Sequence, residues 1–133
     1  MAGVREPGFD LLAIPGCIYC EPEVATVGLS EAEAKARGIE VKIGKIPFRA
    51  NGKAVAIGET VGFVKIVATK RYGEVIGCQI IGHGATDIIS EVVLGKALET
   101  TVTEIGKTAH PHPTISELIM QAALAADGEA IDF

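Results

Sequence analysis

Apolar positions along the chain change period several times, and each change predicts an element. Residues 17–19 read as the start of a strand, and residues 23–29 (EVATVGL) alternate enough for a second short one. Ser30-Glu31-Ala32-Glu33 has the form of a capping box, in which Ser30 accepts from the Glu33 amide while Glu33 reaches back. The helix it opens is expected to run to about Arg37 and stop at Gly38. Residues 39–48 predict the first long strand. Ile39, Val41 and Ile43 share one face there, whereas Ile46 and Phe48 fall on the opposite phase, so a bulge near Gly44 is expected to bring both sets to one side. Residues 49–60, with Asn51-Gly52, read as a loop with a helical turn. Residues 61–69 and 75–82 then form two strands around Arg71-Tyr72-Gly73-Glu74, a hairpin and therefore an antiparallel pair.

From residue 86 the period becomes helical. Ile88, Ile89, Val92, Val93 and Ala97 follow the 3, 4 spacing over 86–98, and Leu94 and Leu98 widen the stripe. Thr101-Val102-Thr103-Glu104 is a second capping box, predicting a short helix that ends near Gly106, and Thr114-Ile115-Ser116-Glu117 is a third. The helix expected from Thr114 is apolar almost all round between residues 115 and 126. One sheet face cannot cover such a helix, which implies cover from another subunit or domain. The fold class is thus α+β: an antiparallel sheet of four to five strands with helices packed on one side.

Composition narrows the function classes. At 133 residues the chain fits one domain with a core, and 48% hydrophobic residues argue against disorder. A net charge of −5 with no basic run argues against nucleic acid or an anionic membrane, and no apolar stretch approaches a bilayer span. Residues 1–10 lack a signal-peptide pattern, and three cysteines do not suggest a secreted disulfide framework, so a reducing compartment is expected. Residues 1–12 read as a linker or expression remnant and residues 13–133 as the domain. No Gly-x-Gly-x-x-Gly follows a strand and no Gly-x-x-x-x-Gly-Lys occurs, so the chain carries no phosphate-binding loop.

The chemistry concentrates in His110-Pro111-His112-Pro113-Thr114-Ile115-Ser116-Glu117. Two readings of its centre stand side by side. In one, Glu117 is the partner of the capping box and His112 a loop residue before it. In the other, prolines on both sides of His112 restrict the backbone so that the imidazole is aimed at a carboxylate, as acid–base work requires; a cis His112-Pro113 bond would suit such a turn. Cys17-Ile18-Tyr19-Cys20 has redox or zinc spacing but lacks the strand–helix setting of the first and the second ligand pair of the second. His83, His110 and His112 offer no complete metal set, so no metal is assigned.

These residues also carry a resemblance. YCEPEVATVGL at 19–29, GHGATDIISE at 82–91, residues 101–108 and above all 110–117 resemble the C-terminal dimerisation (interface) domain of the flavin-dependent pyridine nucleotide–disulfide oxidoreductases, over residues 13–126. Within that family the similarity is strongest to the dihydrolipoamide dehydrogenases. The resemblance implies that His112 is the active-site base and Glu117 its orienting carboxylate, donated across a homodimer to the partner subunit's flavin and redox disulfide, with the backbone beside Pro113 near the flavin. It implies FAD and NAD in the intact enzyme, the missing FAD and NAD domains of the parent chain as partners, and a 2-oxo acid dehydrogenase complex as the larger assembly. The last helix and that of 86–98 would form much of the dimer contact. His110 stands outside the catalytic pair.

Departures from the family pattern are equally informative. The redox Cys-x-x-x-x-Cys and both nucleotide folds are absent, so the chain is expected to be an excised or truncated domain, inactive and without flavin on its own. Leu118 follows Glu117 where glutathione-type relatives tend to carry a second Glu. The alternatives are a non-catalytic dimeric scaffold and the interface domain of another, glutathione-reductase-like enzyme. The compartment implied is the cytoplasm, or the mitochondrial matrix in a eukaryote.

Overall fold

The sheet is built from Gly16–Ile18 (β1), Val24–Gly28 (β2), Val41–Pro47 (β3), Phe63–Thr69 (β4) and Val75–Ile81 (β5), in the order β1-β2-β5-β4-β3 with every pairing antiparallel. The computed structural model describes residues 10–129. Among the described residues five α-helices accompany the sheet: Glu31–Ala36 (α1), Gly52–Ile57 (α2), Ala85–Ala97 (α3), Val102–Lys107 (α4) and Glu117–Asp127 (α5). The expected antiparallel α+β architecture is therefore present.

The strand β3 departs from expectation. It pairs with β4 in unbroken register from Val41↔Thr69 to Pro47↔Phe63, so Gly44 carries no bulge. The two apolar phases are both satisfied because both faces of the strand are covered. Ile46 and Phe48 enter the main core beneath α3 and α5, whereas Ile39, Val41 and Ile43 pack with Leu29, Val67 and Ala34 of α1 on the opposite face. The principal helices thus share one side, and short α1 closes part of the other. The one register shift lies between Val67 and Ala68, whose partners in β5 are Gly77 and Val75; the Ile76 carbonyl between them accepts from Leu29 N–H at 2.9 Å instead.

The helix termini use the caps written in the sequence, with two differences. Ser30 and Glu33 form the box that opens α1, and Thr101 and Glu104 that of α4. The N-terminus of α3 follows Gly84, which has no side chain to offer. Glu23, just before β2, supplies the acceptor across the fold, taking the Thr86 N–H at 2.9 Å and its hydroxyl at 2.7 Å. The last helix starts at Glu117, three residues later than expected, because the Thr114 hydroxyl donates to the Pro111 carbonyl at 2.7 Å instead of accepting from the Glu117 amide.

Helix α5 is covered by its own chain more fully than its composition suggested. Leu118, Ile119, Ala122 and Ala123 are completely buried against β3, β4 and α4. Small residues make this approach close: a methyl on Gly44 would sit 1.8 Å from the Ala122 carbonyl oxygen. At the far end Asp127 binds Lys42 of β3 at 2.5 Å and the Thr103 hydroxyl of α4 at 2.9 Å. The helix is pinned at its base and laid flat on the sheet. The large apolar side chains left exposed include Leu94 of α3 and Leu98 just after it. Of the 1–12 lead-in, residues 1–9 lie outside the described residues, as do 130–133. Asp10 caps a 3-10 turn at Leu11–Ala13 and pairs with Lys96 of α3 at 3.1 Å.

Candidate functional site

Residues 108–116 form the segment between α4 and α5, and the polar chemistry of the domain gathers on it. His112 Nδ1 lies 2.9 Å from Glu117 Oε1, while Glu117 Oε2 accepts the Thr114 N–H at 2.8 Å. Glu117 therefore serves two partners at once. One oxygen closes half of a capping box and the other holds the imidazole. The two side chains differ sharply in environment: the imidazole is 79% exposed and the carboxylate 13%. The His112-Pro113 peptide is cis, as is Glu21-Pro22.

Burial pushes the Glu117 carboxyl up, but the Thr114 amide and then His112 outweigh it, leaving the group below its ordinary range. An ionised acceptor on the first turn of α5 is also favoured by the helix dipole. The imidazole has its Nδ1 occupied and its other edge turned to solvent, the arrangement of a ring oriented through one nitrogen and used through the other.

The first histidine of the segment is held differently. His110 Nδ1 meets the Thr108 carbonyl and Nε2 meets Glu91 Oε1 of α3, each at 2.9 Å, and the side chain is 5% exposed. Both contacts are to acceptors, so the ring bridges the segment to α3 and has no free edge for chemistry. His83 is exposed elsewhere, and no group of three His, Cys, Asp or Glu able to hold a metal ion occurs among the described residues. Cys17, Cys20 and Cys78 are free thiols; burial pushes the Cys78 thiol up, with Glu91 adding to it.

Residues 14–123 match the family described as "Pyridine nucleotide-disulphide oxidoreductase, dimerisation domain". The chain belongs to that family. Its curated relatives include a dihydrolipoyl dehydrogenase of Bacillus subtilis (strain 168), 54% identical over 99% of this chain and 28% of the relative. The dihydrolipoyl dehydrogenase 2 of Haloarcula marismortui is 44% identical over 98% of this chain and 28% of the relative. The chain thus spans about a quarter of the length of these enzymes. Among solved structures, LpdA from Mycobacterium tuberculosis aligns with a TM-score of 0.83 at 26% identity, over 88% of this chain and 26% of that one. The flavoprotein disulfide reductase RclA from Escherichia coli aligns with a TM-score of 0.76 at 19% identity, over 80% of this chain and 24% of that one, which speaks for the fold alone.

Within this dimerisation domain two participants at the site escaped the sequence. Glu91 lies on a helix read only for its apolar stripe, yet it anchors His110. Asn51 reads as a turn residue before Gly52, yet it is 1% exposed and its side-chain amide donates to the Thr114 carbonyl at 3.0 Å. The Thr114 amide holds Glu117, which is the reach-back half of the box expected there. Asn51 did carry a signal, since Asn is a favoured helix cap. Its reach to Thr114 depends on tertiary packing and had none.

Proposed function

We propose that this chain is the interface domain of a dihydrolipoyl dehydrogenase, and that it supplies His112, oriented by Glu117, as the acid–base group at the flavin and disulfide site of the partner subunit. The observation carrying this reading is the asymmetry of the pair: a nearly buried carboxylate holds an imidazole that faces out of its own chain. A base serving a site within this domain would turn into it. An outward base beside a dimerisation surface serves something that docks there. The exposed Leu94 and Leu98 line a groove of about 400 Å³ that also includes His110 and Pro111, which supports this face as the dimer contact.

In that setting the chain's own contribution is the proton. Oxidation of a dithiol to a disulfide releases two electrons and two protons, and the exposed edge of His112 takes a proton from the substrate thiol and returns it in the reverse direction. Glu117, accepting at Nδ1, fixes ring orientation and favours the protonated ring formed in this step. FAD, when bound by the rest of the enzyme, supplies the passage of the electron pair to NAD. The backbone beside exposed Pro113 lies against the flavin in this reading, and the side-by-side exposure of His112 and Pro113 fits contact with a group held by another domain.

A hybrid dimer of the full-length enzyme tests both role and geometry. One subunit carries His112→Gln and its partner lacks the redox cysteines of the flavin domain. Each homodimer is expected to lose about 10²- to 10⁴-fold in turnover or more, and the hybrid to regain about half the activity of one intact dimer's two sites, since one site is then complete. A hybrid as inactive as its parents would place the base in its own subunit's site, and a His112→Gln homodimer with wild-type turnover would remove it from the mechanism.

A further inference from the structure

Asn51 is the one fully buried polar side chain found among the described residues, and every polar group it owns is engaged. Its backbone N–H donates to the Phe48 carbonyl at 2.9 Å and its carbonyl accepts from Val55 at 3.0 Å. Its side-chain oxygen caps α2 by accepting the Ala54 N–H at 2.9 Å. Since a backbone N–H can only donate, that bond fixes the orientation of the amide, and the nitrogen must face the remaining partner. The remaining partner is the Thr114 carbonyl, 63 residues away in sequence and 3.0 Å away in space.

Thr114 is the residue whose N–H holds Glu117, and Glu117 holds His112. Three hydrogen bonds therefore run in series from the β3–β4 connection to the exposed imidazole: Asn51 to Thr114, Thr114 to Glu117, Glu117 to His112. We propose that Asn51 is a positioning residue for the acid–base pair, holding the Thr114 backbone through its carbonyl so that the N–H of the same residue keeps the Glu117 carboxylate aimed at His112. The proposal rests on the acid–base reading of His112. It identifies a residue outside the 108–117 stretch on which that stretch depends. The residue type matters. Aspartate caps a helix as well as asparagine does but cannot donate, and its second oxygen would face the Thr114 carbonyl oxygen. Serine caps too, but its Oγ ends one bond short of the asparagine amide nitrogen and so falls short of the Thr114 carbonyl.

This separation of roles makes the test. Asn51→Asp and Asn51→Ser keep the cap on α2 and remove the bond to Thr114. Amide hydrogen exchange in this chain is expected to quicken at Thr114 by roughly threefold to tenfold as its own bond to Glu117 loosens, with exchange at Ala54 little changed. In the full-length enzyme kcat is expected to fall roughly tenfold with KM for the nicotinamide cofactor unchanged. Unaltered protection at Thr114 together with unaltered kcat would overturn the proposal, as would loss of folding in both variants, which would leave Asn51 a residue of stability alone. Loosened Thr114 exchange with unchanged kcat would likewise overturn it. Failure of the acid–base reading shows elsewhere, in a His112→Gln enzyme of normal turnover, so the two outcomes are separable.

Discussion

The Glu117 carboxylate stands 2.9 Å from the imidazole of His112 through one oxygen and holds the Thr114 amide at 2.8 Å through the other. The entry to the helix and the orientation of the imidazole are thus one arrangement. The first residue of α5 supplies the place from which one carboxylate reaches back both to the Thr114 amide and to the loop before it.

Glu117→Gln retains an oxygen for one partner and loses the charge. Turnover of the full-length enzyme is expected to fall roughly 10- to 100-fold, less than for His112→Gln, because the ring stays but its aim loosens. Steady-state kinetics with both variants on one preparation scale checks the ranking; equal losses would make orientation and proton transfer inseparable.

Stability should respond to acid with a definite sign. Glu117, Glu23, Glu33, Glu104, Asp127 and Asp10 are all held below their ordinary values of 4.5 for Glu and 3.8 for Asp. The causes differ. Burial pushes Glu117 up before the Thr114 amide and His112 overcome it; the Thr86 backbone acts on Glu23, Ser30 on Glu33, Thr101 on Glu104, Lys42 on Asp127 and the Leu12 backbone on Asp10. Carboxylates lowered in the folded state leave the unfolded chain binding more protons, so their stabilisation is present above the unfolded values and is lost as pH falls through the folded ones. The urea midpoint is expected to hold level from about pH 7 to about pH 5.5 and to decline below about pH 4.5. The decline should be shallow, since most of these groups touch solvent.

Gly44→Ala should destabilise the domain by roughly 1–3 kcal/mol, because the added methyl meets the Ala122 carbonyl, a backbone atom that cannot swing aside. Urea unfolding measures it. A neutral result would mean that α5 lifts from the sheet at no cost.

Glu91→Leu leaves a His110 ring nitrogen facing no acceptor and should lower stability by about 1–3 kcal/mol. Glu91→Gln, which keeps an oxygen at that position, should recover most of the loss. Thermal melts of the two variants side by side decide it.

Much of the fold could be read from local rules, and the exceptions have physical reasons. Caps at Ser30 and Thr101 and the hairpin around residues 71–74 depend on neighbours in sequence, so they appeared where expected. The bulge at Gly44 was expected because one covered face was assumed; the two-phase pattern of β3 instead meant two covered faces. At the site, His112 and Glu117 lie five residues apart and could be paired by inspection. Glu91 with His110 and Asn51 with Thr114 span 19 and 63 residues, and no local period links them. The start of α5 slipped because the Thr114 hydroxyl had a second acceptor within reach, the Pro111 carbonyl.

The unequal exposure of the two histidines gives the domain a built-in reporter of assembly. A reagent that acylates imidazoles would reach His112, 79% exposed, long before His110, 5% exposed. Docking of the outer ring against a partner subunit would slow its labelling toward that of His110, so the labelling of His112 counts associated molecules without any measurement of catalysis.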